Sequence, residues 1–165
     1  MKFTLINGTN RLGNNSIKTT KAVAQIVKDF GHDANIVTLD NFDQLFRGDY
    51  INFSNANEVQ KIDLENMAWA DILIFVVPTY HHGIPGLLKN FFDLVNEVTV
   101  YDKKKIGFVA IGKSVEAIRQ TEQVLMGIFA FFKNKSFILP KDCIVSPYEI
   151  EKEKLEEYIK YCIDW

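Results

Sequence analysis

The run "DILIFVV", ending at Val77, places six apolar residues in unbroken succession. A strand with one wet face alternates apolar and polar residues. An unbroken apolar run bounded by turn formers fits a strand covered on both faces, the situation in a parallel sheet with helices above and below. The pattern recurs in "KFTLI" near the start and in "KKIGFVAIG" around Gly107. Between these runs the period changes. "SIKTTKAVAQIVKDFG" sets Ile17, Val23, Ile26, Val27 and Phe30 at helical spacing and ends at Gly31, a good residue for a helix C-cap.

The rest of the chain extends the alternation. "ANIVTLD" reads as a second strand, and "SFILP" or "DCIVS" supplies the fifth. Helices are expected at about Glu58 to Ala70, in "GLLKNFFDLVNEV", from about Ser114 to Lys133, and in "PYEIEKEKLEEYIKYCIDW". Asn41 to Asn66 is otherwise polar and irregular. Strands alternating with helices of this length make βαβ units. The expected fold is α/β, a three-layer doubly wound domain around a five-stranded parallel sheet. The 165 residues suit one domain spanning 1–165. Ligands on such sheets bind outside the carboxyl ends of the strands, so the loops after strands one, three and four are the ones to read for chemistry.

Composition narrows the partners. The net charge of −2 and the lack of a basic stripe argue against nucleic-acid binding. The one dense basic run, "DKKKIG", reads as a solvated strand edge. Two cysteines, Cys143 and Cys162, show no zinc-ligand spacing. No apolar run approaches a membrane span, and "MKFTLINGTNRLG" is too short for a signal-peptide core. The expectation is a cytoplasmic protein with free thiols, no membrane contact and no metal.

The first loop, "GTNRLGNNS", runs from a buried strand into a helix start. A helix N-terminus presents unbonded N–H groups and a positive dipole end, which attract anions. Thr9, Asn10, Asn14, Asn15 and Ser16 add short polar side chains, and Arg11 adds a cation suited to phosphate. The plain alternative is a capped turn, with Asn15 or Ser16 as the cap. The loop lacks both the GxGxxG fingerprint and the P-loop lysine, so it suits a terminal monophosphate better than a pyrophosphate or triphosphate. "GFVAIGKS" does match the P-loop pattern, but its variable residues, Phe108 to Ile111, are the apolar body of a strand. Gly112, Lys113 and Ser114 stand as ligand candidates in another role.

The loop after the third strand is "PTYHHGIPG". Pro78 lacks an N–H and should stop strand pairing. Gly83 should supply unusual backbone geometry, and Pro85 fits the first helical turn. His81 and His82, being adjacent, should point to different sides, and no acidic or cysteine cluster stands near them, which argues against a metal site. Tyr80 offers an aromatic face or a hydroxyl to a planar ligand.

These residues resemble the NADPH-dependent FMN reductases, a family of flavodoxin-like fold. Gly8, Thr9, Arg11, Asn14 and Ser16 stand at the places of its first signature. Pro78, Tyr80, Pro85, Gly86, Leu88, Lys89, Asn90 and Asp93 match its second. The likeness covers nearly the whole chain in element order. Asn14 and Ser16 nearly swap the usual serine and asparagine, while Thr79, His81 and Gly83 depart from the common residues. The resemblance implies an enzyme that binds FMN and uses NADPH or NADH as co-substrate to reduce a small acceptor such as a flavin or quinone. It implies phosphate contacts from Thr9, Asn10, Arg11, Asn14, Asn15 and Ser16. It implies ring contacts from Pro78, Thr79, Tyr80, His81 and Gly83, with Gly112, Lys113 and Ser114 approaching from the third loop. No side chain is assigned as a catalytic acid or base. A homodimer is expected, because "VLMGIFAFF" is apolar on more sides than one stripe needs and the helix beside it resembles the family's dimer-forming helix. The competing classes are a flavodoxin-like electron carrier without reductase activity of its own, a P-loop nucleotide-binding protein and a flavin-free binding module.

Overall fold

A computed structural model describes residues 1–130, 137–138 and 143–165. The strands are β1 (Lys2–Asn7), β2 (Asp33–Thr38), β3 (Ile72–Pro78), β4 (Lys105–Ile111), β5 (Phe137–Ile138) and β6 (Cys143–Val145). The helices are α1 (Ser16–Asp29), α2 (Glu58–Trp69), α3 (Gly86–Leu94), α4 (Val115–Ala130) and α5 (Lys152–Asp164). All strand pairings are parallel, in the order β2-β1-β3-β4-β5, with β6 also on β4.

The fifth lane of the sheet uses both candidate segments. Lys105 and Ile106 pair with β5, and Val109 to Ile111 pair with β6. Between them the Phe108 N–H donates to the hydroxyl of Tyr158 on α5 (2.9 Å). A buried N–H is thereby satisfied by a side chain. The end of the expected long helix, Phe131 to Lys133, lies outside the described residues.

Burial alternates along β3 as a two-sided strand demands. Leu73, Phe75 and Val77 join one core with Leu64 and Met67 of α2 and Leu88, Phe91 and Leu94 of α3. Ile72, Ile74 and Val76 join the other with Val23 and Val27 of α1 and Leu155 and Ile159 of α5. The three layers follow directly. α1 ends in a Schellman motif: His32 N–H reaches Val27 O (3.1 Å) and Gly31 N–H reaches Lys28 O (2.9 Å), with Gly31 at φ 80°. The polar stretch after β2 hides core residues, among them Phe42, Ile51 and Ala56. Asn90 on α3 pins it, accepting from Phe46 N–H (2.9 Å) and donating to Gln44 O (2.8 Å). Cys143 and Cys162 are buried, and burial pushes the Cys162 thiol up to about 12.

The basic run departs from the expected solvated edge. Lys103 is exposed, but Lys104 is buried. Its ammonium donates to Ala68 O (2.7 Å) and Ala70 O (2.5 Å) at the carboxyl end of α2. Those carbonyls lack intrahelical donors, and a lysine just before β4 supplies them. Lys105 lies over the Trp165 ring at 5.7 Å.

Candidate functional site

Four loops meet at the carboxyl edge of the sheet and enclose a cleft of about 420 Å³, a size typical of small-ligand sites. Of the residues singled out above, Arg11, Asn14, Asn15, Ser16, Pro78, Thr79, Tyr80, His81, Gly112, Lys113 and Ser114 line it. Thr9, Asn10 and Gly83 do not. The sequence reading missed Gly13, His82, Ala117 and Pro147, which also line it. Pro147 follows β6, and the rule that led to the other loops applies equally to the fifth lane.

The first loop is held from beneath. Asn7, the last residue of β1, is buried and donates to Thr9 O (2.6 Å). Its carbonyl oxygen accepts from the Ser16 hydroxyl (2.8 Å). The side chain of Asn14 caps the helix by accepting from Ile17 N–H (2.8 Å) and donates to Arg11 O (2.6 Å). Asn15 donates to Pro147 O (2.8 Å), tying this loop to the fourth. Thr9 meets the hydroxyl of Tyr80 (3.3 Å) behind the cleft. The side chains of Asn7, Thr9, Asn14 and Ser16 thus brace the loop. Among the described residues the backbone N–H groups of Gly13, Asn15 and Ser16 have no hydrogen-bond acceptor, and all three residues line the cleft with the exposed Arg11. Gly8 has no room for a side chain: an added Cβ would stand 3.0 Å from Val76 O.

The loop after β3 differs from expectation in two respects. Pairing continues past Pro78, because the Thr79 N–H donates to Ile111 O (2.8 Å). The unusual backbone belongs to the histidines, not to Gly83. Tyr80 and Gly83 exchange two hydrogen bonds (3.0 and 2.9 Å) across a two-residue hairpin, with φ 47° at His81 and 62° at His82. That is the type I′ arrangement, which favours Asn-Gly. A side chain at such an angle costs on the order of 1 kcal/mol or more. Both rings are exposed.

The loop after β4 is packed tightly against the second. A Cβ on Gly112 would stand 2.7 Å from Ile118 Cγ1, so only glycine fits. Thr121 of α4 donates to the Thr79 hydroxyl (3.1 Å) and fixes it. Lys113 is exposed, with its ammonium 5.4 Å from the centre of the Tyr148 ring, and its hydrogen bond to Tyr148 holds the amine above its usual pKa. "GFVAIG" runs through β4 as a strand, so it wraps no phosphate. Among the described residues no carboxylate lines the cleft. Among the described residues no group of three His, Cys, Asp or Glu side chains converges, and no helix is long and apolar enough to cross a membrane.

The NADPH-dependent FMN reductase family matches residues 1–148, and the chain belongs to that family. Its relatives include an iron-sulfur flavoprotein of Archaeoglobus fulgidus, 31% identical over 56% of this chain and 48% of that one. An NADH-dependent FMN reductase, SfnF, of Pseudomonas fluorescens is 28% identical over 59% of this chain and 54% of that one. The matches span about half the length of these relatives. Among solved structures, the apo form of the NADH:FMN oxidoreductase EMOB superposes with a TM-score of 0.78 at 18% identity, covering 99% of this chain and 89% of the other. Oxidised flavodoxin 1 of Bacillus cereus superposes with a TM-score of 0.67 at 10% identity, covering 99% and 98%. The fold is flavodoxin-like.

Proposed function

We propose that the cleft binds FMN and that the chain is an NAD(P)H-dependent oxidoreductase reducing a small acceptor, a flavin or a quinone. The observation that carries this reading is the polarity of the cleft. At one end the unbonded N–H groups of Gly13, Asn15 and Ser16 stand with Arg11, a cradle for a terminal phosphate. The adjoining wall is Thr79, Tyr80, Gly112 and Ala117, small or flat groups fit for a planar ring. FMN joins those two chemistries in one molecule, and when bound it would supply the hydride exchange.

The chain's own residues bind and orient. Arg11 and the loop N–H groups would hold the phosphate, Gly112 lets the backbone approach, and Thr121 fixes Thr79. Lys113 places a cation at the far side, where it favours negative charge. A cleft without carboxylates suits an anionic hydride donor, and this supports a reductase over a flavodoxin-like electron carrier. The homodimer belongs to the same proposal. Val124 and Met126 of α4 are exposed while Leu125 between them is buried, as a helix with a second partner would require. Light scattering that gives a monomer mass at micromolar concentration removes the dimer.

The direct test is titration with FMN and with riboflavin, followed by absorbance under NADH or NADPH without oxygen. FMN should bind at least tenfold more tightly than riboflavin, and its visible absorbance should bleach on adding the reductant. Equal affinity for the two flavins would reduce the first loop to a capped turn. Bound FMN that stays oxidised under both reductants would favour the electron carrier.

A further inference from the structure

The proposed function leaves the two histidines unexplained. A two-residue type I′ hairpin is best made by Asn-Gly, yet His81 and His82 occupy its centre at φ 47° and 62°. Among the described residues neither ring has a hydrogen-bond partner, so no internal hydrogen bond there accounts for their presence. Both line the cleft, and Lys113 reaches its rim from the loop after β4. No carboxylate faces them there, and Glu116, in the first turn of α4, is not among the lining residues. A chain of net charge −2 thus lines one part of its cleft with a lysine and two imidazoles, side chains whose N–H groups can donate to an anion.

From this juxtaposition we infer that the His81–His82 turn, with Lys113, selects an anionic aromatic acceptor, in chemical class a quinone bearing a carboxylate or sulfonate. The inference rests on the proposed function and specifies its second substrate. The reaction balances without another reagent: NAD(P)H gives two electrons and a proton, water gives a second proton, and the quinone leaves as the hydroquinone. The turn's part is recognition. A strained backbone fixes two rings at the cleft mouth, where a sulfonate projecting from a bound acceptor would meet them. Opposite charges about 4 Å apart in water contribute a preference of about fivefold for each pair. Added salt should weaken that preference, since the site is open.

The experiment uses the FMN-loaded protein and three acceptors on one naphthoquinone ring: neutral, sulfonated, and bearing a quaternary ammonium. The readout is the ratio of kcat/KM between acceptors. In a two-stage exchange that quantity does not contain the donor's binding, and the ratio cancels any uniform loss of rate. The unmodified protein should favour the sulfonate over the neutral ring by about fivefold or more and disfavour the ammonium, with both preferences shrinking in high salt. His81→Asn/His82→Gly keeps the turn type and removes both rings. It should bring the sulfonate-to-neutral ratio down by about five- to twenty-five-fold, and its melting temperature should hold or rise. His82→Lys, which keeps a cation, should retain the preference. A ratio unchanged in the double variant overturns the inference. A sharply lowered melting temperature in that variant also overturns it, by showing that the rings serve the fold. If the unmodified protein shows no flavin spectrum after FMN is added, the proposed function fails and this inference with it.

Discussion

Strand β4 has a lysine beyond each end, and the two do opposite work. Lys104, at the amino end, is buried and donates to Ala68 O and Ala70 O. Lys113, at the carboxyl end, is exposed and lies against exposed Tyr148. Burial pulls the Lys104 amine below its ordinary value, against the pull of Asp71 and Asp102, while Tyr148 holds Lys113 above it. One end of the strand spends its cation on closing a helix. The other leaves its cation facing the cleft. Charge in a sequence therefore says little until its acceptor is known.

The largest effect expected is at the buried end. Lys104→Met leaves two carbonyls without donors, about 1–2 kcal/mol each, so the variant should lose on the order of 2–4 kcal/mol. For a chain of this size that lowers the melting temperature by roughly 4–16 °C. Lys113→Met should leave it unmoved. The pH dependence sharpens the contrast. The folded Lys104 pKa lies below the ordinary 10.5, so in the window just below 10.5 the unfolded chain holds the proton more tightly. Stability then rises with pH across that window. The gap between the unmodified protein and Lys104→Met should widen as pH climbs and close again as it falls. A gap that narrows on raising the pH would show that the ammonium, not the amine, is the form the site prefers.

Arg11 is the cleft-side counterpart, an exposed cation of the cleft lining to which the proposed function gives the flavin phosphate. Arg11→Ala should weaken FMN by roughly one to two powers of ten, the loss of a charge-assisted bond of about 1.5–3 kcal/mol. Riboflavin, which has no phosphate, should barely respond, and the melting temperature of the unliganded protein should hold. Fluorescence titration with both flavins separates these outcomes. Equal losses for the two would move Arg11 from the phosphate to the ring.

The middle of β4 offers a third test. The Phe108 N–H has the Tyr158 hydroxyl of α5 as its acceptor. Tyr158→Phe keeps the ring and orphans the N–H, an expected cost of about 1–2 kcal/mol. Urea unfolding measures it, and no change would mean that water reaches the Phe108 N–H.

These cases also show what could be read from the chain in advance. The strands were legible because two-sided burial writes itself as unbroken apolar runs, and the loops after β1, β3 and β4 followed from the strand order. The cleft residues there came from the same rule together with the family likeness. Lys104 was hidden because its acceptors, Ala68 and Ala70, lie at the end of a different element. His82 was hidden because the left-handed backbone fell on the histidines, where sequence statistics point to the glycine beside them. Asn7 did leave a signal: an amide closing a buried strand must bond something nearby, and the only candidates were its own loop. Pro147 was missed because the reading stopped at the fourth strand.

The smallest effect belongs to the exposed pair, and it tests whether Lys113 is tuned at all. Tyr148 offers the lysine two things, a hydroxyl and a ring face, and the hydroxyl is the larger cause of the raised pKa. Tyr148→Phe removes the hydroxyl and keeps the face, whereas Tyr148→Ala removes both. The Lys113 amine, followed by NMR in protein labelled at lysine, should titrate lower in the first variant and no higher in the second. Neither variant should shift the melting temperature, because the ring is exposed and nothing buried rests on it. At the other end of β4 no single neighbour controls Lys104 in this way, since burial and two backbone carbonyls define its state. If Lys113 titrates unchanged in Tyr148→Ala, the two ends differ only in burial, and Tyr148 is merely a surface residue that lies nearby.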